Sequence, residues 1–158
     1  MKMKSFAALL LACLVGLVFI PQAVSQSGDV AVIVNPHSLV ANISQVDLRK
    51  VIAGEKKTWP DGHPIKLILR APGSHEWLVT LKLLGMSDSE YKQSWTAEIF
   101  RGEADADPFT APSLGMASEA AKAFPGAITL VDAQDVKPGM KVIKVNGRLP
   151  GEPGYPLH

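Results

Sequence analysis

Residues 65–75 read Ile65-Lys66-Leu67-Ile68-Leu69-Arg70-Ala71-Pro72-Gly73-Ser74-His75. The apolar run at the start predicts a strand that ends at Arg70, and the Pro-Gly pair after it cannot continue that strand. Ser74 is a typical N-cap residue, and apolar residues at helical spacing follow it up to Gly85. The inner face of this predicted helix consists of Trp77, Leu78, Leu81 and Leu84. A strand that leads through a tight turn into a helix is typical of α/β proteins.

A second strand is predicted upstream, at Val30–Val34, because five apolar and mostly β-branched residues stop there at Asn35-Pro36. Ser44 then opens a short helix that ends at Gly54. The order strand, helix, strand predicts a right-handed crossover and therefore a parallel pair between Val30–Val34 and the strand before Arg70. In that arrangement His37, in the exit loop of the first strand, would lie beside Arg70.

The downstream sequence predicts more helices and strands of the same kind. Ser87 and Glu90 form a capping box, and Tyr91, Trp95 and Ile99 follow at helical spacing, which indicates a core-facing helix. The remaining predicted segments are a loop at 102–115, a helix at 116–124, a strand at 127–131, and an edge strand at 140–145 with one face in solvent. The expected fold is therefore α/β, with a mixed, mostly parallel sheet of about four strands flanked by helices.

The N-terminus has the three parts of a secretion signal. Lys2 and Lys4 precede an apolar run from Phe6 to Ile20, and Ala23-Val24-Ser25 supplies the small residues that signal peptidase requires. We therefore expect residues 1–25 to be a cleaved signal peptide and the mature protein to be periplasmic. A competing interpretation takes Cys13 as the acylated residue of a lipoprotein, but the residues after Cys13 continue the apolar run instead of starting a polar tether.

The expected mature chain divides into a domain at 26–148 and an extended tail at 149–158 that runs over the surface. Without Lys2 and Lys4, the 16 basic residues fall to 14 against 15 acidic ones, a net charge of −1. A nearly neutral domain has no electrostatic footprint for nucleic acid. The single cysteine leaves with the signal, so stability must come from a hydrophobic core and not from disulfides.

The sequence offers little catalytic equipment, and we do not expect an enzyme. The four histidines show no metal-ligand spacing, and no nucleotide or other cofactor motif is present, so no cofactor is expected. Ser74 and His75 are adjacent, which points their side chains in different directions and disfavours a nucleophile-base pair.

The strand-to-helix junction is the most site-like segment. The first N–H groups of a helix have no intrahelical acceptor and lie at the positive end of its dipole, so they can bind an anion. Gly73 would allow a close approach to the backbone, while Arg70 and the Ser74 hydroxyl could add donors. An ordinary loop, with Ser74 as a cap and Arg70 in solvent, explains the same residues, and the sequence alone does not decide between the two.

Several segments in order resemble the periplasmic phosphate-binding proteins of ABC transporters, within the type-II periplasmic-binding-protein superfamily. The matching segments, which together cover most of residues 29–132, are 30–36, 47–54 with Trp59, 65–74, 91–95, 100–102 and 124–128. The resemblance implies that Arg70 and Ser74 contact phosphate oxygens. It departs from the family pattern where His75 replaces a threonine, and where the chain has room for only one of two lobes.

Two functions follow from this resemblance. The first is an extracytoplasmic solute-binding protein for phosphate or a related oxyanion, with Arg70, Gly73, Ser74 and His75 as the ligand-binding residues. The alternative is an interaction module of the same fold that docks on a membrane transporter, sensor or envelope partner. A lone lobe would leave the rim around Arg70 exposed, so a homodimer could also cover it.

Overall fold

The computed structural model describes residues 28–158, and the signal-peptide and Cys13 predictions lie outside them. The described chain forms six strands: β1 (Val30–Val34), β2 (Asn42–Ile43), β3 (Lys66–Arg70), β4 (Phe109–Ala111), β5 (Ala127–Asp132) and β6 (Lys141–Val145). Its helices are α1 (Gln45–Ile52), α2 (His75–Leu84), α3 (Asp88–Phe100) and α4 (Leu114–Ala123), with a short 3-10 turn at Ala133–Asp135. Within residues 28–158, no helix has the length and apolar character needed to cross a membrane.

The strands form one mixed sheet in the order β2-β6-β1-β5-β3-β4. Three of its five neighbouring pairs are parallel, β3 with β4, β3 with β5, and β2 with β6. The predicted fold class, an α/β fold with a mixed, mostly parallel sheet, is confirmed. The sheet has six strands and not about four, because β2 and β4 have only two and three residues and are too short to show a periodicity in sequence.

The predicted parallel pair between the first strand and the strand before Arg70 is wrong. β5 lies between β1 and β3, and β1 runs antiparallel to β5, with Val30 opposite Asp132 and Val34 opposite Ile128. The crossover rule applies only to strands that are already parallel, so it could not establish the direction of β1. As a consequence, His37 leaves β1 at the edge opposite to Arg70, and the expected proximity of these two residues is also wrong.

β6 is likewise not at an edge, because β2 pairs with it on one side and β1 on the other. Its alternating pattern reflects one exposed side chain, Lys144, between the buried Ile143 and Val145. A single solvent-facing position on a strand is therefore not enough to indicate an edge.

The sheet carries a large hydrophobic core on one face and a smaller one on the other. On the larger face, Trp77, Tyr91 and Trp95 stack edge to face, with ring centroids 5.4 and 6.5 Å apart. On the other face, α4 brings Ala117, Ala120 and Ala121 close to the sheet. The interpretation of the three aromatic residues as core is confirmed.

The helix starts predicted from serine caps are confirmed. The hydroxyl groups of Ser44, Ser74 and Ser87 each accept an N–H three residues ahead, and Glu90 completes the capping box at Ser87. The fourth helix begins at Leu114, two residues earlier than predicted, because Ser113 caps it.

The inner face of α2 differs from the prediction. Leu78 is exposed and Leu81 is only partly buried, whereas Glu76, Val79, Thr80 and Leu83 are buried together with Trp77 and Leu84. The helix is therefore rotated about its axis relative to the apolar pattern. Glu76 turns inward because it pairs with Arg70.

The C-terminal tail at 149–158 is irregular, as expected, but it does not simply run over the surface. Tyr155 and Leu157 are buried, and the Tyr155 hydroxyl donates to the Val30 carbonyl at 2.7 Å. The Val30 N–H in turn donates to the Leu157 carbonyl at 2.9 Å. The tail therefore closes the large core beside the start of β1.

Candidate functional site

The predicted site residues lie at the carboxyl edge of the three parallel strands β3, β4 and β5. Arg70 ends β3 and is in register with Ala111 at the end of β4. Asp132 ends β5 on the other side of β3. In open α/β sheets, ligands bind at this edge, outside the carboxyl ends of the strands.

The guanidinium of Arg70 is fixed by two neighbours. Its Nε lies 3.1 Å from Oε1 of Glu76, and its Nη1 donates to the Ala111 carbonyl at 3.0 Å. The Arg70 side chain is 13% exposed and that of Glu76 is 5% exposed. Arg70 is therefore an oriented group at the site edge and not a free surface charge, and a buried carboxylate balances its charge.

Gly73 and Ser74 form the turn that opens α2. Gly73 has φ +85°, a conformation that glycine adopts readily, and a Cβ at this position would meet no atom within 4 Å. The Ser74 Oγ accepts the Trp77 N–H at 3.1 Å, so its hydroxyl proton can still be donated. The N–H groups of His75 and Glu76 precede the first intrahelical bond and point out of the helix start.

His75 begins α2 and reaches the end of β5. Its Nδ1 lies 2.5 Å from Oδ1 of Asp132, and the two side chains are 41% and 20% exposed. The structure thus adds Asp132 and Glu76 to the predicted residues. Asp132 could have been suspected from sequence, since it is a polar residue directly after an apolar strand, but its pairing with His75 required the strand order.

The structure brings Arg70, Ser74 and His75 to one edge, where two acidic residues accompany them. Two positive or titratable groups, Arg70 and His75, each contact a carboxylate. The groups that remain for a ligand are the N-terminal amides of α2, the Ser74 hydroxyl, Nη2 of Arg70 and Nε2 of His75. This arrangement can bind one face of a small anion.

The edge around Arg70 coincides with neither of two hollows in the described surface. One, of about 290 Å³, is lined by Asp29, Ala133 and Leu149 among others; the other, of about 560 Å³, lies between Lys66, Trp95 and Phe109. Neither is lined by Arg70, Ser74 or His75. Among residues 28–158, no group of three or more histidine, cysteine or acidic side chains could hold a metal ion.

Comparison with solved structures finds the same fold in several phosphate-binding proteins. The chain superposes on a Clostridium perfringens protein assigned as a phosphate ABC transporter substrate-binding protein, solved with bound phosphate, with a TM-score of 0.62 and 17% identity. It superposes on an ABC-type phosphate transport receptor from Vibrio cholerae with a TM-score of 0.62 and 15% identity. For PstS from Borrelia burgdorferi the TM-score is 0.59 and the identity is 19%. The chain has a periplasmic-binding-protein-like single-lobe fold. This lobe is what the sequence resemblance led us to expect.

The superposition covers 77% of this chain but only 46%, 48% and 49% of the three neighbours. The lobe therefore spans about half the length of the proteins that it matches. No family model matches the sequence, and no curated protein matches it. At these identities the comparisons establish the fold, while the ligand has to be argued from the site.

Proposed function

We propose that this lobe is an extracytoplasmic solute-binding-like protein that binds phosphate or a related small oxyanion at the carboxyl edge of its sheet. Three of the ligand-binding residues are Arg70, Ser74 and His75, with Gly73 allowing the anion to approach the helix start. The observation that carries the proposal is their convergence with the N-terminal amides of α2 at one edge. Secretion to the periplasm, after cleavage of residues 1–25, is part of the same proposal.

The expected affinity is low. A desolvated anion needs donors on all sides to offset its lost hydration, and a single lobe contacts only one side of it. We therefore expect a millimolar dissociation constant for the isolated lobe, a binding free energy of about −4 kcal/mol. A second surface over this edge would tighten binding.

A second candidate is an interaction module that docks on a membrane transporter, sensor or envelope partner. One specific observation favours it: the Nε and Nη1 groups of Arg70 already donate hydrogen bonds to Glu76 and to the Ala111 carbonyl. In this alternative the Arg70–Glu76 pair is structural, and a partner protein or a second copy of the chain covers the edge.

Thermal unfolding with phosphate distinguishes the two functions. At about 10 mM phosphate and a millimolar dissociation constant, bound ligand should raise Tm by about 5 °C above a sodium chloride control of equal ionic strength. Arg70→Ala leaves Glu76 buried and unpaired, so it is compared with the double variant Arg70→Gln/Glu76→Gln, which removes both charges. Both should lose the phosphate-dependent rise, whatever their Tm without phosphate.

Arg101→Ala serves as the matched control, because Arg101 is an exposed arginine that pairs with Glu98 and Glu103 at the end of α3. It should keep the full rise. If wild-type Tm does not respond to phosphate beyond the salt control, solute binding is wrong. Light scattering over a concentration series then tests whether a second copy covers the edge.

A further inference from the structure

The contact between His75 and Asp132 is the part of the candidate site that the sequence pattern did not predict. We propose that Asp132 is a positioning residue, which holds the His75 imidazole so that its Nε2 faces the anion and binds a proton together with it. The inference rests on the proposed function and deepens it, since it makes oxyanion binding dependent on proton uptake.

Both residues of this contact belong to secondary structure whose backbone is held by hydrogen bonds. Asp132 is paired with Val30 in the sheet, and the N–H of the next residue, Ala133, donates to the Asp29 carbonyl at 2.9 Å. His75 is the first residue of α2, directly after its Ser74 cap. The 2.5 Å contact therefore joins two rigid elements, unlike a pair of long surface side chains that gains little from being ordered.

The geometry determines which imidazole nitrogen is available to a ligand. A carboxylate is an acceptor only, so Nδ1 of His75 must carry a proton in order to bond Asp132. In the neutral ring, Nε2 then has a lone pair and no proton. When Nε2 takes a proton from solvent, it becomes a charged donor to an oxyanion, while Asp132 stabilises the imidazolium from the other side. No other bond is made or broken.

The charges around His75 explain why anion binding requires a proton on its Nε2. Arg70 on β3 is balanced by Glu76 on α2, and Asp132 on β5 adds a further carboxylate. With His75 neutral, these charges sum to a negative value and oppose an anion. Protonated His75 offsets the charge of Asp132. Anion affinity should therefore rise as the pH falls through the range in which imidazole titrates.

Calorimetric titration with inorganic phosphate, from about pH 5.5 to 8, tests the role of Asp132. Asp132→Asn removes the charge that stabilises the imidazolium, so its affinity should rise only at a lower pH than that of wild type and should be about tenfold lower in the interval between the two rises. The difference should shrink toward both ends of the pH range. The ionisation of phosphate itself is common to both and cancels in the ratio.

Asp135→Asn is the matched control, with the same change of charge three residues later in the 3-10 turn. It should follow the wild-type pH profile. His75→Gln should flatten that profile, and adding Asp132→Asn to it should have no further pH-dependent effect. A uniform loss of affinity at every pH, in Asp132→Asn alone, would identify Asp132 as structural only.

The results separate this inference from the function on which it rests. If wild-type protein binds phosphate and Asp132→Asn has a parallel pH profile, the positioning role is wrong and phosphate binding stands. If wild-type protein binds no phosphate at any pH, both are wrong.

Discussion

Single residues constrain the backbone where the chain turns into the sheet. Gly126 precedes β5 with φ +79°, and its carbonyl accepts both the Trp59 indole N–H at 2.9 Å and the Lys66 N–H at 3.0 Å. A Cβ at this position would lie 2.0 Å from the Pro64 carbonyl oxygen. Glycine is therefore required here by a close backbone contact as well as by its conformation.

The substitution Gly126→Ala should lower the free energy of unfolding by about 2–4 kcal/mol, because both the contact and the positive φ are unfavourable. Gly62→Ala is the control: Gly62 has φ +87°, and a Cβ there meets no atom within 4 Å, so about 1 kcal/mol is expected. Urea unfolding measures both. Equal losses would show that the contact with Pro64 relaxes without cost.

At the scale of elements, the C-terminal tail is as much a part of the core as the strands. Leu157 is 1% exposed, and backbone hydrogen bonding joins it to Val30. The Gly151 N–H donates to Asp29 at 2.6 Å, a second link between the tail and the residues just before β1. A segment rich in proline and glycine can thus be ordered by contacts made far away in sequence.

Leu157→Ala should reduce the free energy of unfolding by about 2–4 kcal/mol, because it deletes a fully buried side chain and leaves a cavity. Leu149→Ala, in the same tail but 37% exposed, should cost well under about 1 kcal/mol. Chemical denaturation of the two variants gives the comparison. A small loss for Leu157→Ala would mean that the tail contributes little to the stability of the core.

At the scale of the whole molecule, the proposed site lies at one edge of the sheet of a single lobe. Release or anchoring of the protein bears on this site, because a soluble carrier and a membrane-anchored docking module would present the edge differently. The N-terminal segment decides between these two forms, since the proposed cleavage after Ser25 would release the protein and acylation of Cys13 would anchor it.

Intact mass spectrometry of protein recovered from the periplasm should give a chain that begins at Gln26. Cys13→Ser is the control, and it should leave both the mass and the yield unchanged, because the proposed cleavage removes Cys13. A lipid-modified chain beginning at Cys13, lost in the Cys13→Ser variant, would instead make this protein a lipoprotein.

Local sequence was sufficient for the features that depend on neighbouring residues. The serine caps at Ser44, Ser74 and Ser87 and the aromatic core of Trp77, Tyr91 and Trp95 were all predictable, since caps and helical spacing act within one or two turns. The position of Arg70 at a strand-to-helix junction also followed from local pattern.

The features that only the tertiary structure decided are those that depend on pairing between distant segments. The direction of β1, the insertion of β5 beside it, and the burial of Leu157 all arise from contacts across most of the chain. The same strand order brings Asp132 to His75, while Arg70 turns Glu76 inward against the apolar pattern of α2. Local propensity has no information about such pairings, because their free energy comes from burial and hydrogen bonding that exist only once the sheet is assembled.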